Sequence, residues 1–177
     1  MSYLDDFPND VPDQPELVLC EREGDIVTLT INRADVMNCL SFPTLRRLRK
    51  LCDELGRDTS ARAILITGAG EKAFCAGADL KERRTMPMER VPHFVKNIRR
   101  VMDDIEALPQ PTIGLINGFA FGGGEFLGSH GGGLGRSVPK ATGASAGGVT
   151  LAARALYPRS RLHGDTFNGR PIPHPNA

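Results

Sequence analysis

The chain has 177 residues and a mass of 19.1 kDa, enough for one domain with a hydrophobic core and too few for two large domains. Its net charge of +1 favours neither a nucleic acid nor an anionic membrane as partner. No apolar run approaches the roughly 18 residues of a membrane span, and the first residues lack the apolar core of a secretory signal. The four cysteines have no CxxC spacing, so we expect reduced thiols, no metal site and a cytoplasmic protein.

The composition divides the chain into three predicted parts. Residues 1–15 are acidic and rich in proline, and we expect a flexible lead-in there. Residues 16–127 carry clear hydrophobic patterns and form the predicted domain. Residues 128–177 contain ten Gly, five Pro, six basic residues and one acidic residue, which is typical of a largely irregular, low-order tail. Within this tail we expect at most a short helix near residues 149–157.

Hydrophobic periodicity predicts a hairpin and a helix at the start of the domain. Residues 17–20 and 27–31 are predicted strands, since apolar residues alternate with threonines in the second of them. Ser41 is placed to cap a helix that runs to about Arg57. We expect a solvated face for the basic residues of this helix, with a binding patch as the alternative; they are Arg46, Arg47, Arg49 and Lys50.

Two short apolar runs, residues 63–67 and 112–117, predict strands that are buried on both faces of a sheet. A second helix is predicted between them over residues 88–108, ended by Pro109 and Pro111. Strands that alternate with long helices indicate an α/β layered fold with parallel pairing.

Each of these two runs is followed by a loop of small residues. The first loop, residues 72–80, leads to Asp79, where we expect a short helix to begin; the second loop is Gly122-Gly123-Gly124. Ligands of α/β sheets gather at the carboxyl ends of parallel strands, where free N–H groups can stabilise an oxyanion. Tight turns and close packing explain the same small residues equally well, and neither loop has a Walker or GxGxxG pattern.

Three motifs lie in order along the first three-fifths of the chain. They are Asn32-Arg33 with Asn38-Cys39-Leu40, then Phe74-Cys75-Ala76-Gly77-Ala78-Asp79-Leu80-Lys81-Glu82, then Pro111-Thr112-Ile113 with Asn117-Gly118-Phe119-Ala120-Phe121-Gly122-Gly123-Gly124. In order and spacing they resemble the enoyl-CoA hydratase/isomerase (crotonase) family. The resemblance implies an α/β core of stacked ββα turns (a spiral), acyl-CoA thioester substrates and no metal or redox cofactor.

By the same resemblance, the backbone N–H groups of Ala78 and Gly123 would form an oxyanion hole for the thioester carbonyl. The CoA site would be lined by Ala76, Ala78, Asp79, Leu80, Lys81 and Gly123. The resemblance implies an acyl-CoA-binding enzyme of the hydratase or isomerase type that stabilises a thioester enolate. A hydratase of this type is a lyase of fatty-acid β-oxidation.

The chain departs from the family pattern after the glycine triplet. Hydratases of the family place a catalytic Glu two residues after the triplet, where this chain has Phe126. Glu125 is the candidate acid or base, but it comes one residue early, about 100° away around a helix. Asp165 is the only acid that follows. We therefore expect impaired catalysis, and a product that is truncated, frameshifted or an isoform with an alternative end; the homotrimer or hexamer typical of the family is in doubt.

Two other functions stay open. A non-catalytic remnant that binds CoA esters or associates with other subunits is favoured by the loss of both family glutamates, since the second lies some twenty residues further on in the family and this chain has no Glu after Glu125. A serine peptidase of the related Clp type needs a nucleophilic Ser after a strand, which the glycine triplet lacks. Cys75 is expected to be a packed small residue rather than a reactive thiol. Glu82 is expected to support a helix N-terminus by its charge, in preference to a catalytic role.

Overall fold

A computed structural model describes residues 7–8, 10–122 and 150–153 of the chain. No helix among these residues is long and apolar enough to span a membrane. In chain order the strands and α-helices are β1 (Val18–Glu23), β2 (Ile26–Ile31), α1 (Phe42–Gly56), β3 (Ala63–Gly68), β4 (Ala73–Cys75), α2 (Leu80–Thr85), α3 (Val91–Glu106), β5 (Thr112–Ile116), β6 (Phe119–Ala120) and β7 (Thr150–Ala153).

The strands form two sheets. The larger sheet has the order β1-β2-β3-β5-β7, and the smaller sheet pairs β4 with β6. Strands β2, β3 and β5 run parallel, as expected, while β1 and β7 are antiparallel to their neighbours. The β1–β2 hairpin is confirmed, and its turn uses Gly24 at a φ of 58°, a conformation that glycine adopts at little cost.

The two sheets are linked into stacked ββα turns. Strand β3 of the larger sheet leads into β4 of the smaller sheet and then into α2 and α3; β5 leads into β6 in the same way. Because β5 pairs with β3 and β6 pairs with β4, each turn lies on the one before it. The predicted architecture of the core is therefore confirmed. The stack also aligns the chain segments that follow β4 and β6.

Helix α1 packs its apolar face on the sheet and on α3. Ser41 caps the helix, because its Oγ accepts a hydrogen bond from the Thr44 N–H at 3.4 Å. Leu45 and Leu48 are fully buried, and Phe94 and Ile105 of α3 join the same core. This packing covers one face of the larger sheet.

The basic face of α1 is not the solvated surface that was expected. Arg49 is only 5% exposed: its Nε donates to Asp104 Oδ2 at 2.6 Å and its Nη1 to Asn97 Oδ1 at 3.2 Å. Both acceptors belong to α3, so this buried arginine joins the two helices through polar bonds. The neighbouring Arg46 donates to the Val11 carbonyl.

The lead-in also differs from the flexible segment that was expected. Phe7 and Val11 are buried in the core, and the Phe7 ring contacts the Phe42 ring edge-on at a centroid distance of 5.7 Å. Ion pairs join Asp10 to Arg90 and Asp13 to Lys50. These apolar and ionic contacts fasten the described part of residues 1–15 to α1 and to the start of α3.

Two further expectations are corrected. Neither β3 nor β5 is buried on both faces: Ile64 and Ile66 of β3 are fully buried, but every second residue of each strand, such as Leu65 and Leu115, is only partly covered. Residues 150–153 form strand β7 rather than a short helix, and they pair with β5.

Candidate active site

The first loop runs as an added strand beside the segment that ends at Leu40. The Leu40 N–H donates to the Gly77 carbonyl at 2.7 Å, and the Asp79 N–H donates to the Leu40 carbonyl at 2.9 Å. Leu40 and Ala78 consequently form a parallel bridge. Gly77 has a φ of 86°, a left-handed conformation that a side chain would oppose. The backbone on either side of Ala78 is thus fixed by hydrogen bonds.

The N–H of Ala78 points away from Leu40, because successive amides of an extended chain alternate in direction. On that opposite side runs β6: the Phe121 N–H donates to the Cys75 carbonyl at 3.0 Å. None of the described residues accepts a hydrogen bond from the Ala78 N–H. This open amide therefore faces the side on which the chain continues from β6 toward Gly122.

Five of the predicted site residues lie in the described part of the chain and two lie outside it. Ala76 and Ala78 are partly buried, Asp79 is buried, and Leu80 and Lys81 are exposed, with 58% of Leu80 accessible. All five are consecutive or nearly so at the end of the first loop and the start of α2. Gly123 and Glu125 lie outside the described residues, and so does the glutamate position occupied by Phe126.

Asp79 uses both carboxylate oxygens within the protein. Its Oδ1 caps α2 by accepting from the Lys81 and Glu82 N–H groups, each at 3.1 Å, and its Oδ2 accepts from Arg33 Nη2 at 2.9 Å. Burial acts to raise the pKa of this carboxyl group. The hydrogen bonds from the Glu82 N–H and from Arg33 outweigh that effect and leave the pKa lowered. Asp79 is consequently a buried, ionised cap.

Arg33 and Asn38 connect the first loop to the rest of the fold. Arg33 Nη1 donates to the Cys39 carbonyl, and the Arg33 backbone N–H donates to Asn38 Oδ1 at 2.9 Å. The fully buried Asn38 side chain donates to the carbonyls of Ala69 and Ala73 at 3.0 and 2.7 Å. One amide side chain thus holds together the segment before Leu40 and the two ends of the β3–β4 connection.

Asn117 makes an equivalent connection from β5. Its Nδ2 donates to the carbonyls of Gly68 and Gly70, both at 2.6 Å. Gly68 is needed at this crossing, because a Cβ atom there would lie 2.6 Å from Asn38 Nδ2 and 2.7 Å from the Ala73 carbonyl oxygen. The entry to the first loop is therefore set by two amide side chains and one close backbone approach.

Glu82 lies in the first turn of its own helix, α2, where its charge was expected, and it also supports the N-terminus of α1. Its Oε2 accepts from the Phe42 N–H, the first residue of α1, at 2.8 Å. Burial raises the pKa of this carboxyl group, partly offset by the hydrogen bond from Phe42. A cavity of about 220 Å³ lies beside it and is lined in part by Phe42, Met86 and Arg90.

Cys75 is a packed residue without exposed surface. Burial raises the pKa of its thiol to about 12, and its sulfur accepts a hydrogen bond from the Gly77 N–H at 3.4 Å. A thiol with so high a pKa carries almost no thiolate at neutral pH and is a poor nucleophile. Within the described residues, no group of three or more His, Cys, Asp or Glu side chains is arranged to hold a metal ion.

Stacked ββα turns, with two loops that leave neighbouring strands of the smaller sheet at the same end, are the features of a crotonase-type protein. A sequence model described as enoyl-CoA hydratase/isomerase matches residues 26–133. The chain belongs to the enoyl-CoA hydratase/isomerase family.

Relatives and solved structures agree with this assignment over the same part of the chain. The mitochondrial methylglutaconyl-CoA hydratase of Mus musculus is 48% identical over 104 residues, which are 59% of this chain and 33% of that protein. The short-chain-enoyl-CoA hydratase of Clostridium acetobutylicum is 38% identical over 107 residues, 60% of this chain and 41% of that one. The crystal structure of an enoyl-CoA hydratase from Bacillus anthracis superposes with a TM-score of 0.62 at 42% identity, covering 63% of this chain and 44% of that one. The chain thus spans about a third to two-fifths of the length of these curated relatives.

Three residues that shape the site had no role in the sequence analysis. Arg33, Asn38 and Asn117 all occur in the motifs that carry the family resemblance, but their partners lie far along the chain. Arg33 and Asp79, for example, are 46 positions apart. The feature of the sequence that could have indicated their role was the presence of these polar residues in the same motifs as the small residues.

Proposed function

We propose that this chain binds acyl-CoA thioesters at the first loop, with the backbone N–H groups of Ala78 and Gly123 as an oxyanion hole. The observation that carries the proposal is the open Ala78 amide, held between two hydrogen-bonded neighbours. The similar methylglutaconyl-CoA hydratase and short-chain-enoyl-CoA hydratase suggest the substrate class.

The chemistry of a thioester suits such an amide. Enolate formation places negative charge on the carbonyl oxygen, and a fixed N–H donor stabilises that charge more than it stabilises the neutral carbonyl. Loss of one donor of this kind costs about 3–4 kcal/mol of transition-state stabilisation. The second donor is assigned to Gly123, because the Phe121–Cys75 hydrogen bond brings the preceding chain beside the first loop. The enolate is stabilised by backbone dipoles, so the proposed reaction uses no metal or redox cofactor.

The rest of the binding site is assigned to neighbouring residues. The small side chains of Ala76 and Ala78 leave room for the ligand to approach the backbone. Leu80 offers exposed apolar surface at the start of α2, and the exposed Lys81 follows it. Asp79 lies between Ala78 and Leu80 in the sequence. As the N-cap of α2, it fixes the position of Leu80 and Lys81, the first two residues of that helix.

We propose further that hydration by this chain is weak. Hydration needs one group to take a proton from water and one to deliver a proton to the α-carbon, and each such group contributes about 10²–10⁴-fold. Phe126 occupies the position of one family glutamate, and Glu125 is the only nearby replacement. The same observation favours the second candidate function, a protein that binds CoA esters without turning them over.

The test is the loss of crotonyl-CoA enoyl absorbance in the presence of the full chain, together with crotonyl-CoA binding by calorimetry. We expect binding with slow or undetectable hydration. Glu125→Gln is the informative variant, and Glu54→Gln, the same change on the exposed side of α1, is its control. Absence of binding would overturn the proposed site, and ordinary enzymatic turnover that survives Glu125→Gln would overturn the account of weak hydration. Turnover lost only in Glu125→Gln would make Glu125 the acid or base.

A further inference from the structure

We propose that Arg33 and Asp79 form a positioning pair that fixes the direction of the Ala78 N–H, and that the Asp79 carboxylate does not contact the ligand. The inference rests on the proposed oxyanion role of Ala78. It assigns to the aspartate of the first loop a role different from the lining of the CoA site.

The hydrogen bonds of Asp79 leave little for a ligand to use. The residue is 7% exposed, and its two oxygens together accept from Lys81, Glu82 and Arg33 at 2.9–3.1 Å. Ligand contact by this carboxylate would require at least one of these bonds to break. A buried carboxylate that already has its donors is poorly suited to bind the phosphates of CoA, which are negatively charged as well.

The pair acts on Ala78 from both sides of the bridge with Leu40. Asp79 directly follows Ala78 in the chain, and the Arg33 guanidinium joins its carboxylate to the carbonyl of Cys39, which directly precedes Leu40. The guanidinium therefore ties the first loop to the segment against which it is hydrogen bonded. Without the interactions of Arg33 with Asp79 and Cys39, the bridge between Leu40 and Ala78 is held only by its backbone hydrogen bonds. The direction of the Ala78 N–H then varies more.

The burial of Arg33 and Asp79 strengthens the attraction between their charges. The side chains of Arg33 and Asp79 are 17% and 10% exposed, so water screens the pair less than it screens a surface pair. The guanidinium uses separate nitrogens for its two acceptors, a geometry that a lysine ammonium does not reproduce. Arg33→Lys is consequently expected to keep the charge and lose much of the positioning.

The first experiment needs no ligand and measures amide hydrogen exchange of the full chain by NMR. In Asp79→Asn and in Arg33→Gln we expect the Leu40 amide to exchange about tenfold faster relative to the Leu29 amide of β2, equivalent to about 1.4 kcal/mol. The effect of the double variant should be clearly smaller than the sum of the two single effects, because both single variants remove the Arg33–Asp79 interaction. Asp58→Asn, which breaks the surface ion pair with Arg22, is the matched control and should leave the Leu40 amide unchanged. Unchanged Leu40 exchange in both single variants would overturn the pair, whatever the ligand does.

The second experiment measures the infrared carbonyl band of crotonyl-CoA bound at saturation. In the wild-type chain we expect the band at lower wavenumber than in free crotonyl-CoA, and in Asp79→Asn a smaller shift with the dissociation constant changed less than about tenfold. A full shift in Asp79→Asn would overturn the positioning role and leave the proposed function intact. A wild-type complex without any shift would overturn the oxyanion assignment itself, and the positioning role with it. Loss of binding in Asp79→Asn with wild-type Leu40 exchange would show instead that Asp79 contacts the ligand.

Discussion

The larger and the smaller sheet are held together in different ways. In the larger sheet, β2 and β3 pair along six residues each and bury aliphatic side chains such as Leu29 and Ile66. In the smaller sheet, β4 has three residues and β6 has two; the Asn38 amide donates to Ala73 of β4, and the Asn117 amide, just before β6, donates to Gly68 at the end of β3. Stability at the candidate site therefore depends on a few polar bonds and close approaches, so that a single-atom change there should matter more than one in the apolar core.

The largest effect is expected from Gly68→Ala, which adds one carbon where β3 passes against β4. The new Cβ would collide with the Phe74 carbonyl oxygen and would lie 2.6 Å from Asn38 Nδ2. We expect a loss of about 3 kcal/mol in the free energy of unfolding, measured by urea denaturation. Ile66→Val, which removes one carbon from the larger sheet, should cost only about 1 kcal/mol.

Gly56→Ala is the control for this comparison. Gly56 ends α1 with no atom within 4 Å of the position of an added Cβ, so the same substitution should be neutral or stabilise by up to about 1 kcal/mol. A Gly68→Ala chain as stable as the wild type would show that β3 and β4 are not closely packed where they cross.

Two substitutions of Asn38 separate the effects of its hydrogen bonds and of its backbone strain on the free energy of unfolding. Asn38→Ala removes three hydrogen bonds, two to the carbonyls of Ala69 and Ala73 and one from the Arg33 N–H, and is expected to cost about 3 kcal/mol. Asn38→Gly loses the same bonds but relieves the positive φ of 54°, so it should be about 1 kcal/mol more stable than Asn38→Ala. Equal stability of the two variants in urea denaturation would contradict the strain that we assign to this residue.

The pH dependence of stability should differ in sign between Asp79 and Glu82. The pKa of Asp79 is lowered by folding, so its contribution is present above the unfolded value of about 3.9 and is lost as the pH falls through the folded pKa. Asp79→Asn should therefore cost about 2 kcal/mol at pH 7 and progressively less below pH 4. The measurement is urea denaturation at a series of pH values.

Glu82 supplies the contrasting case in the same helix. Its pKa is raised, so its contribution is present below the unfolded value of about 4.3 and is lost as the pH rises through the folded pKa. Glu82→Gln should consequently become more favourable relative to the wild type as the pH rises from 4 to 7. Parallel pH profiles for Asp79→Asn and Glu82→Gln would contradict the opposite environments of the two carboxyl groups.

The smallest effect is a difference in thiol reactivity. Burial raises the pKa values of Cys52 and Cys75 to about 12, whereas Cys20 is exposed. Iodoacetamide should therefore alkylate Cys20 first, and Cys75 only at the rate of unfolding, as measured by mass spectrometry of tryptic peptides. Rapid alkylation of Cys75 in the folded chain would show that the smaller sheet opens at this point.

Local patterns predicted the elements but not their polar partners. The hairpin of β1 and β2 and the Ser41-capped helix α1 follow from residues that are close in sequence, and both were predicted correctly. The burial of Arg49 depends on Asp104, 55 positions away, and no periodicity reports such a partner. For the same reason a charged helix face in the sequence was mistaken for a solvated one. The first loop was predicted from its small residues, whereas the amides that hold it became apparent only from the fold.

The most direct test of the central claim is the NMR signal of the Ala78 amide during titration with crotonyl-CoA. A hydrogen bond to the thioester carbonyl should move the Ala78 amide proton downfield at saturation, and free CoA, which has no such carbonyl, should leave that proton nearly unmoved. We expect this difference between the two ligands. An Ala78 proton that stays in place while crotonyl-CoA saturates the chain would contradict the assignment of this amide to an oxyanion hole.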